Sequence, residues 1–412
     1  MTHRRPTTTD DLLARTLREE AGPLVARLSR RFGDFDLAEE AVQGAVVEAL
    51  TSWRRDGPPQ RPGAWLQVAA ARNAMDGVRH RDRQRALAAR ADPRVAGSED
   101  PTNGTDDRLA LLFACCHPAL APDVRLALTL RAVVGLTTPQ IARAFLVHET
   151  TLAQRIVRAK RKIVSTRIAL TVPPPTELSA RLGDVLAVVY VMFNEGFVSS
   201  TGATQDRDPA ADAVWLAGVV ATALPGEAEA WGLAALLTIQ HARSRARFAD
   251  GDLVLLRDQD RALWDAAAIA DGERLIERAA ALRRPGPYQL QAAIAAVHAT
   301  GSSWAETDWL QISLLYDELA HHDPSPVVRL NQAVAHAQVA GPADALARLE
   351  SLAGPLAGYH PFHATRAHLL TALGRDAEAA EANTRALALT TNDAERRLLT
   401  TRLHRRPMDD GS

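Results

Sequence analysis

Apolar positions at helical spacing are best ordered between residues 137 and 163, TTPQIARAFLVHETTLAQRIVRAKRKI. Leu152, Ile156, Ala159 and Ile163 draw one buried stripe along a helix that starts near His148 to Thr150. The opposite face carries Thr150, Gln154, Arg158 and Arg161, with Thr151 and Arg155 flanking. Ahead of it, Thr138 as N-cap and Pro139 at the first helical position open a shorter helix with Ile141, Ala142 and Phe145 inward. Leu146 and Val147 form the corner between them. Two helices joined this tightly have the layout of a helix-turn-helix, whose second helix enters the DNA major groove.

The same periodicity covers most of the chain. Residues 10–31 read as an amphipathic helix interrupted at Gly22-Pro23. Asp36 with Glu39 three residues on predicts a capping box, and Val42, Val46, Ala49, Leu50 and Trp53 supply the stripe behind it. DGPPQRPG (56–63) is a turn-rich connection to a further helix, AWLQVAAARNAMDGVRHRDRQR, whose polar side is basic. Residues 91–107 are rich in Pro, Gly, Ser, Asn and Asp and read as a flexible linker. Helical signal resumes at Arg108, is separated by Pro118 and Pro122, restarts at Asp123 and stops at Gly135. TVPPPTE (171–177) is a second boundary, and helical patterning alone is expected over 178–404. There, 331–352 resembles 365–389, with Gly341 recurring as Gly374 and small residues at Ala333, Ala337, Ala345, Ala367, Ala372 and Ala379. The period of roughly 34 residues is that of tetratricopeptide helix pairs, which stack into a concave surface.

Composition narrows the class. The chain is 47% hydrophobic with few β-branched runs, which favours an all-α protein. Its net charge of −1 excludes a generally basic nucleic-acid coat, so any DNA contact must be a local patch. Nothing resembling a signal peptide or a bilayer-spanning run stands out, and a cytoplasmic protein is expected. Cys115 and Cys116 are adjacent and followed by His117; this is not the usual zinc spacing, and core packing of the pair is expected. No cofactor, metal or enzymatic activity is expected. Asn194-Glu195-Gly196 reads as a buried structural cap in the extension.

These segments assemble into a known plan. Residues 10–168 resemble extracytoplasmic-function sigma factors of the sigma-70 family, through DLAEEAVQGAVVEAL and AWLQVAAARNAMDGVRHR for region 2, and ALTLRAVVGLTTPQIARAFLVHETTLAQRIVRAKRKI for region 4. The rest is similar to the long helical extension of one subgroup, through CCHPALAP, VVYVMFNEGF, DGDLVLLRDQDRALWD, GPYQLQAAIAAVHA and SPVVRLNQAVA. The resemblance implies a region-2 domain (10–90), a linker (91–107), a region-4 domain (108–170), a Pro-rich linker (171–177) and a tetratricopeptide-like domain (178–404). It implies that Asp36, Glu39, Glu40 and Gln43 dock on the β′ clamp helices of core RNA polymerase, with the β flap as a further contact. Arg72, Asn73, Asp76, Arg79 and Arg81 match the helix facing the −10 element. His148, Thr150, Thr151, Gln154, Arg155 and Arg158 match the helix that reads the −35 element. The extension is expected to regulate in cis or through a protein partner. Gly44 departs from the family, which usually has an acidic residue there; a mid-helix glycine costs roughly 0.5–1 kcal/mol relative to alanine. The competing reading is a polymerase-independent helix-turn-helix regulator with a tetratricopeptide sensor.

Overall fold

The computed structural model describes residues 9–88, 104–144, 147–166, 168–199, 208–249, 252–390 and 392–404. The described residues form eighteen α-helices and one two-residue β-hairpin, so the chain is all-α. It divides into two compact units, one ending at Glu195 and the other starting at Gly196.

The first unit opens with α1 (Thr9–Phe32), α2 (Phe35–Asp56) and α3 (Pro62–Ala88). Helix α1 runs through Pro23 without a break, contrary to the sequence expectation. Pro23 has no N–H for the carbonyl four residues back. That carbonyl, Glu19 O, instead accepts from the Arg108 guanidinium, which lies in the next helix, α4 (Gly104–Cys115). A partner from a remote segment thus replaces the lost helical bond. The N-cap of α2 is Asp34, whose carboxylate accepts from Leu37 N at 3.0 Å; Asp36, the expected cap, lies in the first turn.

Helix α4 begins inside the segment read as linker. Asp107 is fully buried there and pairs with Arg30 and, at 3.4 Å, Arg27, both on α1. The remainder of that linker lies outside the described residues. After α4 come α5 (Pro122–Leu128), a π-helical turn (Thr129–Val134), α6 (Thr138–Ala144), α7 (Glu149–Ser165) and α8 (Pro175–Ser199). Gly135 stops the π-helical turn at φ 82°, a left-handed position that suits glycine. Thr137, one residue before the expected cap, holds a reciprocal capping box: its amide donates to Gln140 Oε1 at 2.8 Å, and its hydroxyl accepts from Gln140 N at 3.4 Å.

The 171–177 boundary does not separate the units. Arg125 on α5 pairs with Asp184 on α8 at 2.6 Å, and Arg181 on α8 donates to Phe113 O at 2.8 Å. These ties hold most of α8 to the first unit. Asn194 and Glu195, expected as a buried cap, are exposed on α8. No helix among the described residues is long and apolar enough to cross a membrane.

The second unit is built around α10 (Ala228–His241), which packs against α9 (Pro209–Ala223), α11 (Ala266–Ala281) and α12 (Pro287–Thr300). Residues 244–263, expected to be helical, hold short 3-10 turns and the antiparallel strands β1 (Phe248–Ala249) and β2 (Asp252–Leu253). Arg261 fastens this stretch by donating to His298 O at 2.6 Å. Helices α13 (Trp309–His322), α14 (Pro326–Ala340), α15 (Pro342–Glu350), α16 (His360–Ala372), α17 (Asp376–Leu389) and α18 (Asp393–His404) follow as successive packed neighbours. The repeat seen in the sequence is a pair of helical hairpins, α14–α15 and α16–α17. Gly341 (φ 92°) and Gly374 (φ 71°) turn their corners. Ala333, Ala345, Ala367 and Ala379 are buried between the helices and Ala337 partly so; Ala372 is exposed.

His298, on α12, stands beside Trp304 and Trp309, at ring-centroid distances of 6.2 Å and 5.2 Å. Burial, then the charges of Arg243 and Arg261, push its pKa down from 6.5 to about 4. Between those values the unfolded chain binds a proton that the folded chain does not, so stability rises with pH across the window. The second unit is therefore expected to lose up to about 1.4 kcal/mol per pH unit from this group as pH falls from 6.5 towards 4. Tryptophan-fluorescence melts over this range should show it, with a shallower slope in His298→Gln. Equal slopes would refute the assignment.

Candidate functional site

The expected recognition helix is α7. Leu152, Ile156, Ala159 and Ile163 are all buried, as their spacing predicts. The stripe holds the helix against the first unit, with Arg155 half-buried and paired to Asp123 on α5 at 3.1 Å. His148 is the N-cap residue, and it is exposed together with Thr150, Thr151, Gln154, Arg158 and Arg161. Arg158 Nε lies 3.4 Å from Gln154 O, one turn back. This face offers amide, hydroxyl and guanidinium donors to a groove, the groups that read base edges and phosphates. Phe145 and Leu146, assigned to the inward face and the corner, lie outside the described residues.

The expected −10 residues sit on α3 and do not share one environment. Arg72 is exposed and paired with Glu48 of α2. Asp76 and Arg79 are exposed and lie 3.4 Å apart. Asn73 is half-buried and donates to Ala41 O on α2 at 3.3 Å, so its amide serves the α2–α3 contact. The side chain of Arg81 lies outside the described ones. The Asn73 contact also accounts for Gly44: a Cβ there would stand 2.9 Å from Asn73 Nδ2. The glycine gives the amide room between the two helices.

The expected docking residues gather in one place: Glu39 is buried and Gln43 half-buried, while Asp36 and Glu40 are exposed. Asp36, Glu39, Glu40 and Gln43 line a cleft of 290 Å³ together with Arg131, Thr138, Ala153, Ile156, Val157 and Lys160. The opposing wall is α7 with the π-helical turn. Lys160 is buried on α7 and reaches Asp36 at 3.0 Å and Glu39 more closely, with its ammonium 5.5 Å from the Phe35 ring centroid. Arg131, carried by the π-helical turn, pairs with the same Glu39 carboxylate. The Glu39 and Lys160 side chains are only 7% and 11% exposed. Burial lowers the Lys160 pKa, but the charges and hydrogen bonds of Glu39 and Asp36 together outweigh it and raise it above the ordinary lysine value. The ammonium therefore stays charged through neutral pH. Sequence reasoning missed Lys160 and Arg131. The one available signal was a lysine at a position flanking the apolar stripe of α7.

The cysteine pair is packed in the core. Burial pushes the Cys115 thiol well up and Cys116 up to about 12, and Cys116 Sγ lies 3.5 Å from Thr129 Oγ1. Neither thiol is poised as a thiolate ligand.

Residues 110–163, from α4 through α7, match the sigma-70 region 4 family, and residues 181–280 match a family of unknown function, DUF6596. An uncharacterized protein of Rhizobium meliloti (strain 1021) is 44% identical over 378 residues, 89% of each chain. The probable ECF RNA polymerase sigma factor SigI of Mycobacterium tuberculosis is 32% identical over 158 residues, covering 37% of this chain and 54% of that protein. No solved structure matches the chain. The chain belongs to one family with its Rhizobium relative, and its region 4 and likeness to SigI support an ECF-like sigma factor with a long helical C-terminal extension.

Proposed function

We propose that this chain binds core RNA polymerase and directs it to promoters through two DNA-facing helices. In this reading Asp36, Glu39, Glu40 and Gln43 of α2 dock on the β′ clamp helices, and the region-4 segment meets the β flap. Arg72, Asp76, Arg79 and Arg81 of α3, with Asn73 beneath them, face the −10 element. His148, Thr150, Thr151, Gln154, Arg155 and Arg158 of α7 read the −35 element. The chain performs no chemistry itself, since nucleotidyl transfer belongs to the core enzyme. Two modest DNA surfaces suffice, because anchoring on one polymerase makes the second contact intramolecular. The second unit regulates this activity, in cis or by receiving a protein partner.

The observation that carries the reading is the polar face of α7, presented outward on a fully buried stripe within the region-4 match. The likeness to SigI, a probable ECF RNA polymerase sigma factor, supports it. Burial of Glu39 in the free chain favours the competing reading, a regulator that binds promoter DNA without polymerase. Size-exclusion chromatography with purified core polymerase separates the two. Co-elution as a stoichiometric complex is expected; promoter binding by a chain that never co-elutes would support the competitor.

A further inference from the structure

We infer that the structure is a latched resting state, in which α7 of the region-4 segment and the π-helical turn sequester Glu39 of the polymerase-docking helix α2 through the Lys160–Glu39–Arg131 cluster. The inference rests on the proposed docking role of α2 and concerns the regulation of that same surface.

Four observations converge on it. The cleft wall opposite Asp36, Glu39, Glu40 and Gln43 is made by α7 and the π-helical turn, and of the four only Glu39 is buried, so a partner cannot engage Glu39 while α7 stays in place. Glu39 meets two cations from two different elements, Lys160 of α7 and Arg131 of the π-helical turn. Lys160, buried at the edge of the apolar stripe of α7, reaches a carboxylate 121 residues away in sequence. Further back in the same unit, Asp107 of α4 is buried against Arg30 of α1, and Arg108 of α4 caps the carbonyl freed by Pro23.

The physics suits a latch better than a stability device. A buried ion cluster recovers little net free energy over an apolar contact, but it enforces one geometry, and breaking it leaves a costly unpaired charge. It therefore holds α7 in register on α2 yet can be exchanged for another charged partner. Polymerase that needs the open form meets a chain whose competent fraction is small, and its apparent affinity falls by that fraction. Opening would free Glu39 for docking and release α7, whose polar face is already exposed, from α2 in one event.

Lys160→Glu is the decisive variant, because it sets a third carboxylate against Glu39 and Asp36; Lys160→Arg keeps the charge and serves as the conservative control. Each full-length chain is examined in two ways: hydrogen exchange of residues 36–43 in the free protein, and titration against labelled core polymerase. The expected result for Lys160→Glu is faster exchange in that segment and at least fivefold tighter core binding, with wild-type helicity by circular dichroism. Lys160→Arg should stay close to wild type in both. Unchanged exchange in Lys160→Glu would overturn the latch. Faster exchange with unchanged core affinity would overturn its role in docking while the sigma reading stands. Failure of both wild type and Lys160→Glu to bind core would instead overturn the docking role of α2. Lys160→Glu binding where wild type does not would support latch and docking together.

Discussion

Alanine at both Gln154 and Arg158 is expected to lower promoter-directed transcription at least tenfold while leaving the fold and core binding intact. Both side chains are exposed, and their mutual contact is a single long bond from Arg158 Nε to the Gln154 carbonyl. Removing them costs the buried stripe nothing, and alanine is the best helix former. What is lost is contact to DNA, where each good base pairing contributes roughly 1–3 kcal/mol of discrimination. If Arg158 touches phosphate, the salt dependence of promoter binding by the holoenzyme should also become shallower by about one ion. Arg155 is a poorer choice for this test, since its pairing with Asp123 mixes a structural loss into the readout. Transcript yield from a fixed promoter, read beside core co-elution, checks the prediction. Unchanged yield would remove α7 from promoter recognition.

Gly232→Ala is expected to destabilise the second unit by about 1–3 kcal/mol, the range for overpacking a filled core. Gly232 lies inside α10 where α12 passes closest. An added Cβ would stand 2.7 Å from Gln289 N and 3.0 Å from Gln289 Cα. These are backbone atoms, so no side-chain rotation relieves the contact. The same crossing is tied by Glu229 of α10, whose carboxylate accepts from Tyr288 N at 2.9 Å and Gln289 N at 3.2 Å, capping the start of α12. Pushing α12 away would pull those amides off their acceptor. Gly218→Ala on α9 is the natural contrast. No atom lies within 4 Å of its added Cβ, so the better helix propensity should stabilise the unit by up to about 1 kcal/mol. Thermal melts of the two variants should therefore move in opposite directions, by several degrees downward for Gly232→Ala. A downward shift for both would mean that space is not the deciding factor.

The contrast shows which features local sequence carries. The buried stripe of α7 and the paired corners at Gly341 and Gly374 are written in short-range periodicity, and both emerge as read. Caps were legible only to within a residue or two. In GDFD, Asp34 and Asp36 are equally good candidates, and it is Asp34 whose carboxylate takes the Leu37 amide. Thr137 and Thr138 pose the same ambiguity, resolved by the reach of Gln140. What local pattern could not supply were groups defined by distant partners. Asp107 sits in a composition typical of linkers, yet its carboxylate is buried by Arg30, 77 residues upstream. Pro23 looked like a helix break because Arg108, which rescues its orphaned carbonyl, lies in another helix. Lys160 resembled one more solvated lysine in AKRKI until Glu39 was placed beside it. The residues of the proposed docking site were readable by resemblance; the burial of Glu39 was not.

In the proposed reading the chain is a promoter-specificity subunit that keeps Glu39 of its docking helix sequestered until polymerase takes it. Run-off transcription tests it most directly, with purified core polymerase, templates selected from genomic fragments by binding to the chain, and increasing amounts of wild-type or Lys160→Glu protein. The expected result is a discrete transcript that requires the chain and that Lys160→Glu supports at lower protein concentration. A template bound by the chain alone, with no discrete transcript from core polymerase at any concentration of either protein, would contradict it.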